Sequence, residues 1–94
     1  MIRVLIERRL AAGQREALQR AMRELRLEAI HRDGYIGGET YIDGADPNHY
    51  LTLSTWRSRD AWESWAASEP RRAAEALIAP MLAVPETVTV LEPV

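Results

Sequence analysis

Three tryptophans, Trp56, Trp62 and Trp65, fall within a ten-residue stretch of a 94-residue chain that contains no Phe. Indole rings grouped this way can wall an apolar cavity and stack on a planar aromatic ligand. The same rings could equally be core or interface bulk, since Trp must supply most of the large aromatic volume. Glu39 lies between Tyr35 and Tyr41 on a stretch that alternates as a strand, and Tyr50 lies on the next. A carboxylate buried beside phenols has a raised pKa and can act as a general base, whereas one paired to an Arg at a strand edge is structural. His31 falls near the end of a helical segment, where the dipole favours a cation. His49 stands beside a turn and serves as a base only if it points into a pocket. The two His have no i, i+4 metal spacing. Asp43, Asp46 and Asn48 lack the distal Glu of a calcium loop and read as turn residues. No helix follows Gly34, Gly37 and Gly38, so they form no phosphate loop.

Composition narrows the chemistry further. There is no Cys, which removes disulfides, thiolate nucleophiles and Cys-ligated metals. All twelve basic residues are Arg, so no Schiff-base lysine exists. The net charge of −2 argues against a general nucleic-acid binder. Residues 1–32 are basic, with eight Arg against four Glu, and 33–56 carry four acids and no Arg. The basic segment reads as an Arg/Glu-laced, solvated helix rather than a phosphate-binding face. No apolar run approaches the roughly 18 residues of a membrane helix. The N-terminal run meets a charge too early for a secretory signal, so a cytoplasmic location is expected.

These residues need elements to position them. Ile2, Val4 and Ile6 alternate with Arg3, Leu5 and Glu7, which predicts a strand over 2–10. Leu18, Met22, Leu25 and Ala29 form one stripe of an amphipathic helix over 14–32. A second strand is expected over 35–43, with Tyr35, Glu39 and Tyr41 on one face, and Gly37-Gly38 marking a bulge or a close approach. Residues 44–48 read as a turn and 49–57 as a third, antiparallel strand. Ser58 caps a short helix carrying Trp62 and Trp65, and Ser68-Glu69-Pro70 starts another that Pro80 stops. Residues 86–92 alternate as a last strand. The order is that of a ferredoxin-like α+β sandwich: one domain over 1–94, with helices on one face of a four-stranded antiparallel sheet.

The other face is also apolar. Leu5 opposes Ile2, Val4 and Ile6; Leu51 and Leu53 oppose Tyr50 and Trp56; Leu91 opposes Val88 and Val90. A second apolar sheet face does not stay wet, which predicts a homodimer packed sheet to sheet.

The run Gly34-Tyr35-Ile36-Gly37-Gly38-Glu39, then Asp46-Pro47-Asn48-His49-Tyr50, then Ser54-Thr55-Trp56-Arg57-Ser58-Arg59-Asp60-Ala61-Trp62-Glu63-Ser64-Trp65, resembles the antibiotic biosynthesis monooxygenase (ABM) domain family. The resemblance extends over nearly the whole chain and implies a dimeric α+β barrel. It further implies one of several activities, among them cofactor-independent oxidation of aromatic phenols or quinols and haem degradation. Haem-degrading relatives carry a first-strand Asn, a Trp after the third strand and a His ten residues beyond it. Here Trp65 matches the Trp, but Glu75 stands at the His position and Glu7, Arg8 and Arg9 where the Asn would be. Haem degradation is therefore disfavoured and no cofactor is expected. Some quinone-forming relatives place an Asn four residues before the strand Trp and a Tyr six after it. Those positions are Thr52 and Trp62 here.

The resulting expectation is a monooxygenase of a small aromatic phenol or quinol, using O2 and an apolar pocket. His49 or Glu39 would be the base, Tyr50, Thr52 and Ser54 the hydrogen-bonding groups, and Trp56, Trp62 and Trp65 the walls. The competing expectation is a non-catalytic dimeric ligand-binding or stress-related protein of the same fold. Neither reading involves nucleic acid or a membrane.

Overall fold

In the computed structural model, which describes residues 1–94, alternation along the first segment becomes strand β1, Ile2–Arg9. Its even-numbered residues Ile2, Val4, Ile6 and Arg8 are buried under the helices. Helix α1 spans Arg15–Ala29 and turns its Leu18, Ala21 and Ala29 inward. Strand β2 covers Tyr35–Asp43 and β3 covers Asp46–Trp56. The turn between them is therefore shorter than the 44–48 expected, and Asp46, Pro47 and Asn48 already belong to β3. Helix α2, Arg59–Ala66, begins where the Ser58 hydroxyl accepts from the Ala61 backbone N–H. Helix α3, Glu69–Ile78, begins at Ser68 in the same way, with Pro70 in its first turn. A single 3-10 turn over Ala79–Met81 leads to strand β4, Thr87–Leu91.

The sheet has the order β2-β3-β1-β4 and every pair is antiparallel. Register assigns the faces. Ile2, Val4, Ile6 and Arg8 stand opposite Trp56, Ser54, Thr52 and Tyr50, so these four β3 side chains also face the helices. Leu5 pairs with Leu53 and Glu7 with Leu51, placing both leucines on the open face. The two-sided apolar character is thus real, with Leu5, Leu51 and Leu53 half-buried on a face that no helix covers.

One expectation about β2 is overturned. The register shifts between Tyr35 and Gly37, so that Tyr35 pairs with Trp56 while Gly37 pairs with Thr55. The extra residue, Ile36, moves Tyr35 to the helix side, away from Glu39 and Tyr41, which pair with Leu53 and Leu51 on the open side. The Gly37-Gly38 pair did mark a bulge, and the bulge reverses the face of everything before it.

The interior is two apolar clusters. Ile2, Val4, Ile6, Ala29 and the three Trp form one; Leu10, Leu18, Ala21, Tyr50 and Ile78 form the other. Arg8 falls between Ile6 and Leu10 on the inward face of β1, where the two clusters part.

Candidate functional site

Under the helix-covered face lies a cavity of about 90 Å3. Its apolar wall comes from four rings. Trp56 stacks on Trp65 with centroids 6.4 Å apart, and meets Trp62 and Tyr35 edge-on at 5.7 and 5.2 Å. Arg32 covers Trp65 from outside, 5.5 Å from the ring centre, a favourable cation–π arrangement. Trp56 is only 1% exposed and lies on the helix side because β3 alternates regularly. Met22 and Leu25 of α1 close the roof. The exposed lining residues Arg26, Glu39 and Thr40 mark the mouth, between α1 and the edge strand β2. Outside it, Met22, Arg26 and Thr40 also border a surface groove of about 310 Å3.

The polar lining has defined partners. Trp56 Nε1 donates to Ser54 Oγ at 3.0 Å, leaving the serine proton free to donate elsewhere. Thr40 and Thr52 hydroxyls share a hydrogen bond of 3.0 Å across β2 and β3. Only one proton is used in that bond, so one hydroxyl remains a donor. Gly38 matters for space: a Cβ there would come within 2.9 Å of the Tyr35 hydroxyl. At the far wall, Arg8 and Arg71 are both buried and meet at Glu86. Burial pushes the Arg8 guanidinium below its ordinary pKa; Glu86 opposes this, and the neighbouring Arg71 charge adds to it.

Of the residues singled out from sequence, Thr52, Ser54, Trp56, Trp62, Trp65 and Glu39 come together around this cavity. Glu39 does so from the far side of the edge strand: its carboxylate lies with Tyr41 on the open sheet face and accepts from the Tyr41 hydroxyl there. That hydrogen bond raises the Tyr41 pKa. Tyr50 faces the helices but borders the outer groove, and its hydroxyl accepts from Arg15 and Gln19 at 3.0 and 3.1 Å.

His49 lies on the opposite sheet face. There it bridges Asp43 and Glu7, each 3.0 Å from a ring nitrogen. Asp43 is held below its ordinary carboxylate pKa, first by the Ala45 backbone N–H and then by His49. Within one protomer His49 does not border the cavity. His31 is exposed just beyond α1. Glu75 pairs with Arg71 at 3.3 Å.

Sequence reasoning passed over Arg8 and Arg71, and set Tyr35 on the same face as Glu39 rather than on the cavity side. Arg8 continues the period-two series of Ile2, Val4 and Ile6, and Arg71 stands seven residues before the buried Ile78 on α3. Both signals were present in the spacing. Tyr35 carried no such signal, because a bulge changes the count.

The sheet order and helical cover define the class first: a ferredoxin-like α+β domain with an aromatic-walled cavity beneath one face. The family model for antibiotic biosynthesis monooxygenase matches residues 1–77, and the chain belongs to that family. Solved structures agree on the fold. One described as an antibiotic biosynthesis monooxygenase is 20% identical, with a TM-score of 0.89, covering 100% of this chain and 99% of its own. Rv0793 from Mycobacterium tuberculosis is 22% identical with a TM-score of 0.89, covering 99% and 94%. A conserved protein from Methanosarcina mazei Go1 is 15% identical with a TM-score of 0.93, covering 99% and 92%. No curated protein matches the chain.

Proposed function

We propose that the cavity is the substrate site of a cofactor-independent monooxygenase acting on a small phenol or quinol. The observation that supports this best is the four-ring wall facing hydroxyl donors in a cavity beneath the helices. In such a reaction a phenol and O2 give a quinone and water. A ring C–H and the O–H bond break, one oxygen becomes the new carbonyl, and the other leaves as water. The substrate supplies all four electrons, so the protein need only let a proton leave, hold an oxyanion and exclude solvent.

Neither expected base, Glu39 nor His49, turns its side chain into the cavity, since both lie on the open sheet face; the substrate's proton passes to solvent at the mouth. Ser54 and the Thr40–Thr52 pair supply the hydroxyl protons for the developing oxyanion. A cavity of roughly 150 Å3 is known to accept benzene; this one is about 90 Å3. A ring substrate therefore enters with Met22 and Arg26 moving aside, and extends into the groove between α1 and β2.

The protein works in this reading as a homodimer joined through its open sheet faces, with Leu5, Leu51 and Leu53 at the centre. Haem has no place in the scheme, since Glu75 engages Arg71 where a His ligand would stand.

The second reading, a non-catalytic ligand-binding protein, is favoured by one observation: no imidazole borders the cavity. Oxygen uptake with simple naphthols and quinols separates the two. Uptake above autoxidation, with quinone formed mole for mole and lowered by Ser54→Ala, supports the enzyme. Aromatic binding with no uptake leaves the ligand-binding protein.

A further inference from the structure

The inner end of the cavity holds more guanidinium N–H donors than the structure pairs. Arg8 of β1 is 2% exposed and Arg71 of α3 is 1% exposed, and both line the cavity. One mostly buried carboxylate hydrogen-bonds to both. Arg8 Nε donates to Glu86 Oε2 at 2.8 Å, and Arg71 Nη2 donates to Glu86 Oε1 at 3.2 Å. Glu75 is near Arg71, but it is 43% exposed and its 3.3 Å approach is not aligned for a hydrogen bond. Arg8 Nη2 and Arg71 Nε and Nη1 are left buried without a hydrogen-bond partner.

Buried N–H groups without partners are rare in folded proteins and call for an explanation. Glu86 and the partly exposed Glu75 stand against the two guanidinium ions, yet three of their buried nitrogens have no hydrogen-bond acceptor. A buried donor without an acceptor is costly, and the oxygens of an anion supply acceptors. Two carboxylates already face the two guanidinium ions, so further negative charge is best kept small, which favours a monoanion over a phosphate dianion. The orphan donors belong to planar guanidinium forks, which match a carboxylate in two-point contact.

We infer that Arg8 and Arg71 form an anion subsite for the carboxylate of a small aromatic acid whose ring lies among Trp56, Trp62 and Trp65. The inference rests on the cavity being a ligand site, and it deepens the proposed function by naming the substrate class as aromatic acids. It does not require that the site be catalytic.

The test compares 4-hydroxybenzoate with 4-hydroxybenzamide, a neutral analogue of nearly the same shape, by calorimetry and by the indole N–H signals of the three Trp. The acid is expected to bind at least tenfold more tightly and to shift those signals; inorganic phosphate is expected to compete weakly or not at all. Arg71→Met keeps much of the apolar stem and leaves the neutral Arg8–Glu86 pair. This variant is expected to fold, to match or exceed the wild-type melting temperature, and to lose the preference for the acid.

Equal affinity for acid and amide, or no binding of either, overturns the subsite. So does a folded Arg71→Met variant that keeps the preference. Should the variant not fold, the wild-type comparison decides alone. Oxygen uptake is scored separately. A preference for the acid without uptake keeps the subsite and removes the oxygenase, whereas uptake with neutral quinols and no preference does the reverse.

Discussion

Trp56 is where stability and binding meet. It is buried, touches three other rings and anchors its N–H on Ser54. Truncating so large a buried ring costs about 3–5 kcal/mol. Trp56→Ala should lower stability by that amount in denaturant titrations and abolish binding of planar aromatics. It should leave the oligomeric state unchanged, because the ring lies on the face away from the leucines. A dissociated variant that still binds ligand normally per folded chain would remove Trp56 from the site. Asp43 has a different signature. Its pKa in the folded protein is depressed below the ordinary 3.8. Its contribution is therefore fully present above that value and disappears as the pH falls through the lower folded value. Asp43→Asn should be less stable than wild type near neutrality, and the gap should close as the pH falls through the depressed folded pKa. A gap that persists in acid would mean that the ionised carboxylate contributes nothing.

The turn between α1 and β2 decides how the helices meet the sheet. Gly34 has φ +87°, and a Cβ there would fall 2.5 Å from the Ala61 Cβ of α2. Gly34→Ala therefore combines a strained conformation with an overpacked contact, together costing about 2–4 kcal/mol; chemical denaturation measures it. Gly37→Ala, with open space around its Cβ, should be nearly silent by comparison.

At this scale the chain was largely legible in advance. Every strand and helix stands where periodicity, Ser caps and Pro placed it, because amphipathic alternation and capping are local signals. Bounds moved where a turn was tighter than its composition suggested, as at Asp46–Asn48. The site was legible for residues in unbroken register, such as Thr52, Ser54 and Trp56. It was not legible across the Ile36 bulge, which reversed Tyr35. Nor was it legible for Arg8, whose charge suggested water while its position demanded burial. His49 went the other way: one step of the same alternation carries it to the opposite face from Tyr50.

For the whole molecule the proposed dimer rests on the open sheet face. Leu53 pairs with Leu5 on that face and with Glu39 on the neighbouring strand. A carboxylate introduced at its centre would have to be desolvated without a partner on dimerisation. Leu53→Glu should convert the expected dimer to a monomer in sedimentation at micromolar concentration, without loss of secondary structure. Wild-type protein that is already monomeric there would show that the face does not self-associate.

The sheet has one further property, which concerns the connectivity of the polypeptide. Arg3 pairs with Leu91, so the first and last strands run side by side in opposite directions and the two chain ends emerge together. A short linker from Val94 to Met1 would make β4 and β1 a hairpin and the backbone a closed ring. Cutting that ring between Gly44 and Ala45, where β2 turns into β3, yields a circular permutant that begins with β3 and ends with β2. Such a cut at an exposed tip is the kind that proteins tolerate. Every strand keeps its neighbours, so the permutant should regain the native circular dichroism spectrum and an intact Trp cluster. One that does not would identify the β2–β3 turn as a nucleus on which folding depends.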